Sequence, residues 1–236
     1  MSTGKLFLIP TYLSDTNDPS FIAPMVIEII KKCRYYLVEN VRTTRRFISS
    51  LKADIVIDDL SFHVLDKRSS WDDLYPILEP IRSGYDMAVM SEAGVPCLAD
   101  PGNLAVTLAH QTHIRVVPLP GASSIQMALI ASGFNGQQFT FHGYLPIEQA
   151  ERRKKIKELE REASSGYTQI FMETPYRNHQ LLEDIIRFCK PDTLLSIASD
   201  ISGAKEGVAT KSVSAWKKTT FDIHKIPAIF SFGLFP

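Results

Sequence analysis

The sequence lacks the patterns that mark several common protein classes. Its three cysteines, Cys33, Cys97 and Cys189, are far apart, with no C-x-x-C pair and no histidine at ligand spacing. This pattern argues against a zinc site or a disulfide framework and favours buried thiols in a reducing compartment. No stretch approaches the ~20 apolar residues of a membrane helix, and the apolar run near the N-terminus is too short for a signal peptide. We therefore expect an intracellular, cytoplasmic protein with no membrane partner.

Neither sign of charge is in excess. The 236 residues include 26 Lys and Arg against 26 Asp and Glu, so the formal net charge is zero. A nucleic-acid or anionic surface would therefore have to be local rather than a property of the whole chain.

Familiar cofactor and catalytic loops are also missing. No G-x-G-x-x-G follows the first predicted strand, which argues against the usual dinucleotide fold and the commonest methyltransferase fold. The chain has no G-x-x-x-x-G-K-[ST], which excludes a P-loop NTPase. Neither G-x-S-x-G nor H-E-x-x-H occurs, so no motif supports one of the standard hydrolase mechanisms.

Short apolar segments alternate with amphipathic ones, which predicts an α/β protein with a mostly parallel sheet covered on both faces. The predicted strands of the first half are Lys5–Ile9, Tyr35–Val38, Ile55–Ile57, Met87–Met90 and Ile114–Val117, and its helices are Ile22–Lys32, Thr44–Leu51, Asp72–Arg82 and Leu104–His110. The second half is predicted to form strands at Phe139–His142, Gln169–Met172, Leu194–Ala198 and Ile226–Phe232, helices at Glu148–Glu162 and Tyr176–Cys189, and a hairpin or loop over Gly203–Ser212. Prolines and a glycine at 118–121 place the boundary between two lobes, 1–118 and 119–236.

The loops after the strands are the candidate ligand sites, because open α/β sheets bind ligands outside the carboxyl ends of their strands. The segment 91–102 stands out. Gly94 permits a backbone shape that other residues resist, and Asp100 before Pro101 predicts a helix N-cap. Such a loop can present backbone N–H groups to a ligand carboxylate. Taken alone, however, this loop is better explained as an ordinary strand-to-helix turn.

Two charged clusters carry alternative interpretations. The first consists of Arg42, Arg45 and Arg46, which lie on one early helical turn close to Glu39. It could form a rim that grips a polar or anionic substrate, with Glu39 holding an arginine or contacting the substrate. It could equally be a solvated helix start with local ion pairs. The run at 152–157 is interleaved with glutamates, so we interpret it as an exposed helix face rather than a phosphate-binding site.

Several segments match, in order and spacing, the motifs of one family. The family's E-D-T-R-x-T-R-R is matched by residues 39–46, its S-D-A-G-T-P-x-x-S-D-P-G by 91–102, and its V-P-L-P-G-P-S by 117–123. Its F-x-G-F-L-P is matched by 141–146, its F-Y-E-S-P-H-R by 171–177 and its P-A-I by 227–229. The chain thus resembles the tetrapyrrole (corrin/porphyrin) methylase superfamily. The branch that it resembles most 2′-O-methylates a cytidine of small-subunit ribosomal RNA.

This resemblance implies transfer of a methyl group from S-adenosyl-L-methionine, with S-adenosyl-L-homocysteine as the product and no metal. It implies a two-lobed fold with a mostly parallel N-terminal sheet, a mixed C-terminal sheet and the cofactor in the cleft between them. The lobe 1–118 would carry the substrate side and part of the cofactor site, and the lobe 119–236 would bind the cofactor. It also implies a homodimer and RNA, or the small ribosomal subunit, as partner. Its cofactor contacts would be Pro10, Ser91, Gly94, Val95, Gly121, Ser123, Met172, Glu173, Pro227 and Ala228, and its catalytic residues Glu39, Arg42 and Arg45.

Two segments depart from the family pattern. The first loop, usually P-T-P-I-G-N-L, here continues with Tyr12-Leu13-Ser14-Asp15 and has no glycine, and Ser199–Glu206 replaces R-E-L-T-K-x-H-E-E. These departures keep two alternatives open. One is a methylase of a tetrapyrrole-like small molecule or a protein, and the other is a module that binds the cofactor without catalysis.

Overall fold

The chain forms two compact units. The computed structural model describes residues 3–15, 18–65 and 69–235. Unit 1 is Met1–Ser123 and unit 2 is Ser124–Pro236. The division therefore lies after Ser123 rather than at the predicted residue 118. The intervening residues pack on unit 1, where the Leu119 N–H donates to the Leu8 carbonyl at 3.1 Å.

Unit 1 is built on a five-stranded sheet that is parallel throughout. Its strands lie in the order β3-β2-β4-β1-β5. They are β1 (Lys5–Ile9), β2 (Tyr35–Val38), β3 (Ser61–Val64), β4 (Met87–Met90) and β5 (Arg115–Pro118). The three central strands are almost wholly buried, as continuous apolar runs in parallel sheets require.

Helices cover both faces of this sheet. They are α1 (Pro24–Lys32), α2 (Val41–Ser50), α3 (Trp71–Ile77), α4 (Glu79–Arg82) and α5 (Asn103–Gln111). Val26 of α1 and Phe47 of α2 belong to one buried cluster, whereas Leu74 of α3 and Leu108 of α5 belong to the other. The two clusters divide the alternating side chains of the strands between them, which confirms the predicted covering of both faces.

Two predictions for unit 1 are wrong. Ile55–Ile57 is not a strand, because Val56 is 63% exposed and Ile57 begins a short 3₁₀ helix. The strand of this region is instead β3, which lies at the edge of the sheet. Its residues are only partly buried, so its sequence lacks the apolar pattern that predicts a strand. The predicted helix Asp72–Arg82 is divided at Leu78, since Pro80 lacks the N–H that a continuous helix needs.

The sheet of unit 2 is mixed, as predicted, and its five strands lie in the order β6-β7-β10-β8-β9. Only the β6–β7 pair is parallel. The strands are β6 (Phe139–Tyr144), β7 (Thr168–Glu173), β8 (Leu194–Ser199), β9 (Gly207–Ser212) and β10 (Ala228–Gly233). The pairing of β8 with β9 confirms the hairpin predicted for the segment 203–212.

Helices α6 (Ser124–Ser132), α7 (Gln149–Ala163), α8 (Asn178–Phe188) and α9 (Val213–Trp216) complete unit 2. Phe171, Phe230 and Trp216 belong to the core between the sheet and α7–α9. On the opposite face, the Thr210 hydroxyl donates to the Ser132 carbonyl at the end of α6 at 2.8 Å. The position of α6 was not predicted, because its sequence is apolar on nearly all sides and lacks a helical period.

Candidate functional site

The carboxyl ends of the unit 1 strands carry the loops that the sequence singled out. We call residues 10–15 the first loop, 91–102 the β4 loop and 119–123 the β5 loop. Because β1 lies between β4 and β5 in the sheet, the first loop has the other two as neighbours. This is the edge where open α/β sheets bind ligands.

The first loop and the β4 loop are joined through their backbones at Gly94. The Thr11 N–H donates to the Gly94 carbonyl at 2.8 Å, and the Gly94 N–H donates to the Tyr12 carbonyl at 3.1 Å. Gly94 has a φ of +71°, and a Cβ there would lie 2.8 Å from Leu13 Cδ2. A glycine is therefore required at this position on both conformational and steric grounds.

The departure of the first loop from the family pattern has a structural counterpart. Tyr12 is buried, with its ring 5.0 Å from that of Phe47 in an edge-to-face arrangement. The Ser50 hydroxyl donates to the Tyr12 hydroxyl at 3.3 Å. Burial raises the pKa of Tyr12, so this phenol is neutral at physiological pH. Tyr12 therefore anchors the first loop to α2.

The β5 loop lies directly against the first loop at Gly121. A Cβ on Gly121 would lie 2.1 Å from Pro10 Cβ and 2.4 Å from Pro10 Cγ, which no side chain can tolerate. Ser123, the last residue of this loop, is buried. Pro10, Gly94 and Gly121 therefore lie close together. Their role as cofactor contacts stays a prediction.

The rest of the β4 loop is a series of tight turns. Ser91 is buried and its hydroxyl donates to the Ala93 carbonyl at 3.3 Å. Val95 is half-buried. The predicted cap at Asp100 is wrong, because α5 begins later and Gly102, with φ +137°, is its N-cap. A Cβ at Gly102 would lie 2.7 Å from Cys97 Sγ, so the loop folds too closely to begin the helix at Asp100.

Glu39 and the N-terminus of α2 are tied to the β4 loop. The Glu39 carboxylate accepts a hydrogen bond from the Glu92 backbone N–H at 2.9 Å, and the Thr43 hydroxyl donates to Glu92 Oε1 at 3.2 Å. Asn40 caps α2 by accepting from the N–H groups of Arg42 and Thr43. Glu39 therefore helps to hold the β4 loop in place.

The three arginines of α2 are in different situations. Arg45 forms an ion pair with the exposed Asp58, with 2.5 Å between Nη2 and Oδ1. Arg42 and Arg46 are exposed, and their guanidinium groups have no ion pair within the described part of the chain. Residues four apart lie on the same side of a helix, so these two cations face one surface.

In unit 2, Glu173 organises the turn after β7. Its Oε1 accepts from the Arg177 Nε at 3.0 Å and from the Thr174 N–H at 2.6 Å, and Arg177 Nη2 lies 2.5 Å away. The Glu173 carboxylate is almost fully buried. The glutamate and arginine of the F-Y-E-S-P-H-R motif are therefore partners. Met172 beside them is half-buried.

Pro227 and Ala228 lie next to Glu173, since Ala228 pairs with Glu173 on one side and Ser199 on the other. The Pro227 carbonyl accepts from the Asp200 N–H at 2.9 Å.

Sequence reasoning missed Asn178, which holds the turn before Pro227. This fully buried side chain donates from Nδ2 to the carbonyls of Ile226 at 2.6 Å and Ile223 at 3.4 Å. No periodicity marks such a residue. An asparagine on an otherwise apolar helix face was the only available signal.

One member of the basic run at 152–157 is not exposed, contrary to the prediction. Arg152 is buried and pairs with the buried Asp184, with 2.8 Å between Nε and Oδ2. Its Nη1 also donates to the carbonyls of Pro146 and Ile147. Arg152 thus fastens the loop after β6 to α8. Its neighbours Lys154 and Lys155 form i,i+3 ion pairs at the surface, as expected for an exposed helix face.

Residues 3–15, 18–65 and 69–235 contain neither a candidate metal site nor a helix that could span a membrane. No group of three His, Cys, Asp or Glu side chains there could hold a metal ion. Every helix in these ranges is too short or too polar to span a bilayer. The Cys97 thiol is only half-buried, but burial and Asp100 raise its pKa to about 11, so it is protonated at neutral pH.

Comparison with known proteins agrees with the motifs. The sequence profile of the family described as Tetrapyrrole (Corrin/Porphyrin) Methylases matches residues 17–215. A protein of Micromonospora olivasterospora named Ribosomal RNA small subunit methyltransferase I is 34% identical over 183 residues, 78% of this chain and 55% of that protein. Proteins of the same name from Streptococcus pyogenes and Bacillus subtilis are 29% and 33% identical, over 90% and 76% of this chain and 70% and 58% of their own lengths. The chain thus spans little more than half of some of these relatives.

The fold has a solved counterpart. The crystal structure of the methyltransferase CobJ superposes with a TM-score of 0.64 over 98% of this chain and 94% of that one, at 15% identity. The profile covers most of the chain, and the names of the relatives match the branch that the motifs indicated. The chain belongs to the tetrapyrrole (corrin/porphyrin) methylase family of methyltransferases.

Proposed function

We propose that this chain transfers a methyl group from S-adenosyl-L-methionine to small-subunit ribosomal RNA, at a ribose 2′-hydroxyl. Family membership together with the name shared by the relatives carries this proposal. The rival activities, methylation of a small molecule or a protein and cofactor binding without catalysis, have no comparable support.

The three loops of unit 1 fit the proposed cofactor. Gly94 and Gly121 let the loops touch where any Cβ would collide. In the part of the chain that the structure describes, the backbone N–H groups of Val95 and Ala122 have no hydrogen-bond partner. Free N–H donors next to glycines suit a ligand that is bound mainly through its carboxylate and other polar atoms by the backbone. Pro10, Ser91 and Ser123 would complete this part of the site.

The residues of unit 2 would contribute in the same way, through the shape of their backbone. Met172, Pro227 and Ala228 are the proposed contacts. Glu173 would act indirectly, because its carboxylate already accepts hydrogen bonds from Arg177 and the Thr174 N–H. It would hold the turn after β7 in place.

The acceptor would be held by α2. Arg42 and Arg46 offer two unpaired guanidinium groups, which bind phosphates in a planar, bidentate manner. Glu39 and Arg45 would act indirectly, by holding the β4 loop and the Asp58 segment. When bound, the cofactor would supply a methyl group attached to a sulfonium sulfur, and this sulfur is a good leaving group because it departs as a neutral thioether. The enzyme therefore mainly positions the attacking oxygen in line with the bond between carbon and sulfur. As the O–C bond forms, the C–S bond breaks with its electron pair left on sulfur, and the hydroxyl proton passes to water.

We also propose that the protein works as a homodimer in the cytoplasm, as the family resemblance implies. A monomeric mass in light scattering would contradict the dimer.

The proposal is tested by incubating the protein with methyl-labelled S-adenosyl-L-methionine and purified small ribosomal subunits. Free ribosomal RNA and a small-molecule extract serve as alternative acceptors. Label in the RNA of the subunit is the expected result. Label only in the extract, or none despite cofactor binding by calorimetry, would reject RNA as the substrate.

A further inference from the structure

A basic groove runs along α7 on the surface of unit 2. It has a volume of about 640 Å³. We call it the α7 groove, and its lining residues are Ala150, Arg153, Lys154, Lys157, Glu158 and Arg161. These positions recur every three or four residues and therefore form one face of the helix.

Two of its four cations are not neutralised. Lys154 pairs with Glu151 at 2.6 Å and Lys157 with Glu160 at 2.9 Å. Arg153 and Arg161 are exposed and form no ion pair with any residue that the structure describes. Glu158 also lines the groove and lies within the electrostatic influence of Arg161, so the excess positive charge of this face is small and comes mainly from Arg153 and Arg161.

Arg153 is also held in place. Its guanidinium lies 5.2 Å from the centre of the Phe188 ring, and Arg187 of α8 lies 5.5 Å from the same ring. Stacking on an aromatic ring restricts an arginine, so less conformational entropy is lost when it binds an anion. Arg187 adds another cation next to the groove.

The spacing of the cations fits a chain of anions better than a single one. Arg153 and Arg161 are eight residues apart, which is about 12 Å along the helix axis, and the two lysines lie between them. A lone phosphate would contact one of these cations, whereas a nucleic-acid strand would contact several in turn.

Contrary to the expectation from the sequence, we propose that the α7 groove binds the phosphate backbone of the RNA substrate, separately from the arginines of α2. This inference rests on the proposed function. The groove would add affinity and salt dependence without reading sequence, because phosphate contacts position an RNA but do not specify it.

The test is the double variant Arg153→Gln/Arg161→Gln, in filter-binding titrations of small-subunit ribosomal RNA at several salt concentrations. The plot of log K against log salt has a negative slope, and each lost phosphate contact reduces its magnitude by about 0.7 for single-stranded RNA. The double variant should therefore reduce the magnitude of the slope by about 1.4 and weaken RNA binding roughly tenfold at ~0.15 M salt. Its affinity for S-adenosyl-L-homocysteine should not change.

Lys217→Gln/Lys218→Gln is the matched control, since it removes the same charge from exposed positions outside the groove. If the two double variants have the same salt slope and the same affinity for RNA, the proposal that the groove binds RNA is overturned. Binding does not require turnover, so the two proposals can be separated. If the groove variant loses RNA affinity but the wild type methylates no RNA, the groove stands and the proposed activity fails. If the wild type methylates the RNA and the groove variant matches the control, only the groove fails.

Discussion

Gly121→Ala is the substitution that most directly perturbs the proposed cofactor site. The added Cβ would lie 2.1 Å from Pro10 Cβ, whereas carbon atoms in contact prefer about 3.5–4.0 Å. Pro10 is a rigid ring at the end of β1, so the first loop and the β5 loop must separate by roughly 1.5 Å. That exceeds the ~0.5 Å within which a binding site must be held.

Two quantities should change together. Forcing a carbon into a packed contact costs about 1–3 kcal/mol of unfolding free energy. Misplacing the loop by this distance should weaken the binding of S-adenosyl-L-homocysteine at least tenfold, which is about 1.4 kcal/mol. Urea unfolding followed by circular dichroism gives the first quantity, and isothermal titration calorimetry gives the second.

Gly136→Ala is the matched control, because a Cβ at Gly136 meets no atom within 4 Å. It should leave both the unfolding free energy and the cofactor affinity close to those of the wild type. If Gly121→Ala binds the ligand as tightly as Gly136→Ala does, the contact between the loops does not shape the site and the reasoning is refuted.

Arg42→Ala should lower kcat/KM for RNA methylation about tenfold, since a hydrogen bond to a charged group is worth about 1.5–3 kcal/mol; equal turnover would remove Arg42 from the acceptor site. Asp184→Ala should lower the unfolding free energy by about 3–5 kcal/mol, because it leaves the buried Arg152 unpaired. A loss no larger than that of the exposed Asp192→Ala would contradict this. Burial would raise the pKa of Glu160, but hydrogen bonds from Thr193, the Lys190 N–H and Lys157 outweigh it and lower that pKa. The stabilisation lost in Glu160→Gln should therefore be largest above about pH 5 and disappear as the pH falls through the lowered pKa; a difference in urea midpoint that grows on acidification would refute it.

The sequence predicted most of the sheet because its central strands are continuous apolar runs. Lys5–Ile9, Tyr35–Val38 and Met87–Met90 have the bounds predicted for them. Prediction failed where tertiary packing decides. The edge strand Ser61–Val64 is only partly buried, whereas the apolar residues 55–57 lie outside the sheet.

The site was predictable where it depends on loop chemistry and not where it depends on contacts across the chain. The family resemblance assigned Pro10, Gly94 and Gly121 to one site, and these residues do lie close together. That they contact the cofactor stays a prediction. The partners of charged side chains were not readable. Glu39 bonds to a backbone N–H 53 residues away, and Arg152 pairs with a carboxylate 32 residues away. Long-range pairing of this kind leaves no local pattern.

The chemical position of the transferred methyl group decides whether this chain methylates a ribose of ribosomal RNA. Small ribosomal subunits would be incubated with the protein and labelled S-adenosyl-L-methionine, and their RNA hydrolysed in alkali, which cleaves next to every free 2′-hydroxyl. For a ribose 2′-O-methyltransferase, we expect the label in a single alkali-resistant dinucleotide. Label in mononucleotides would place the methyl group on a base, and its absence from the RNA would contradict the account.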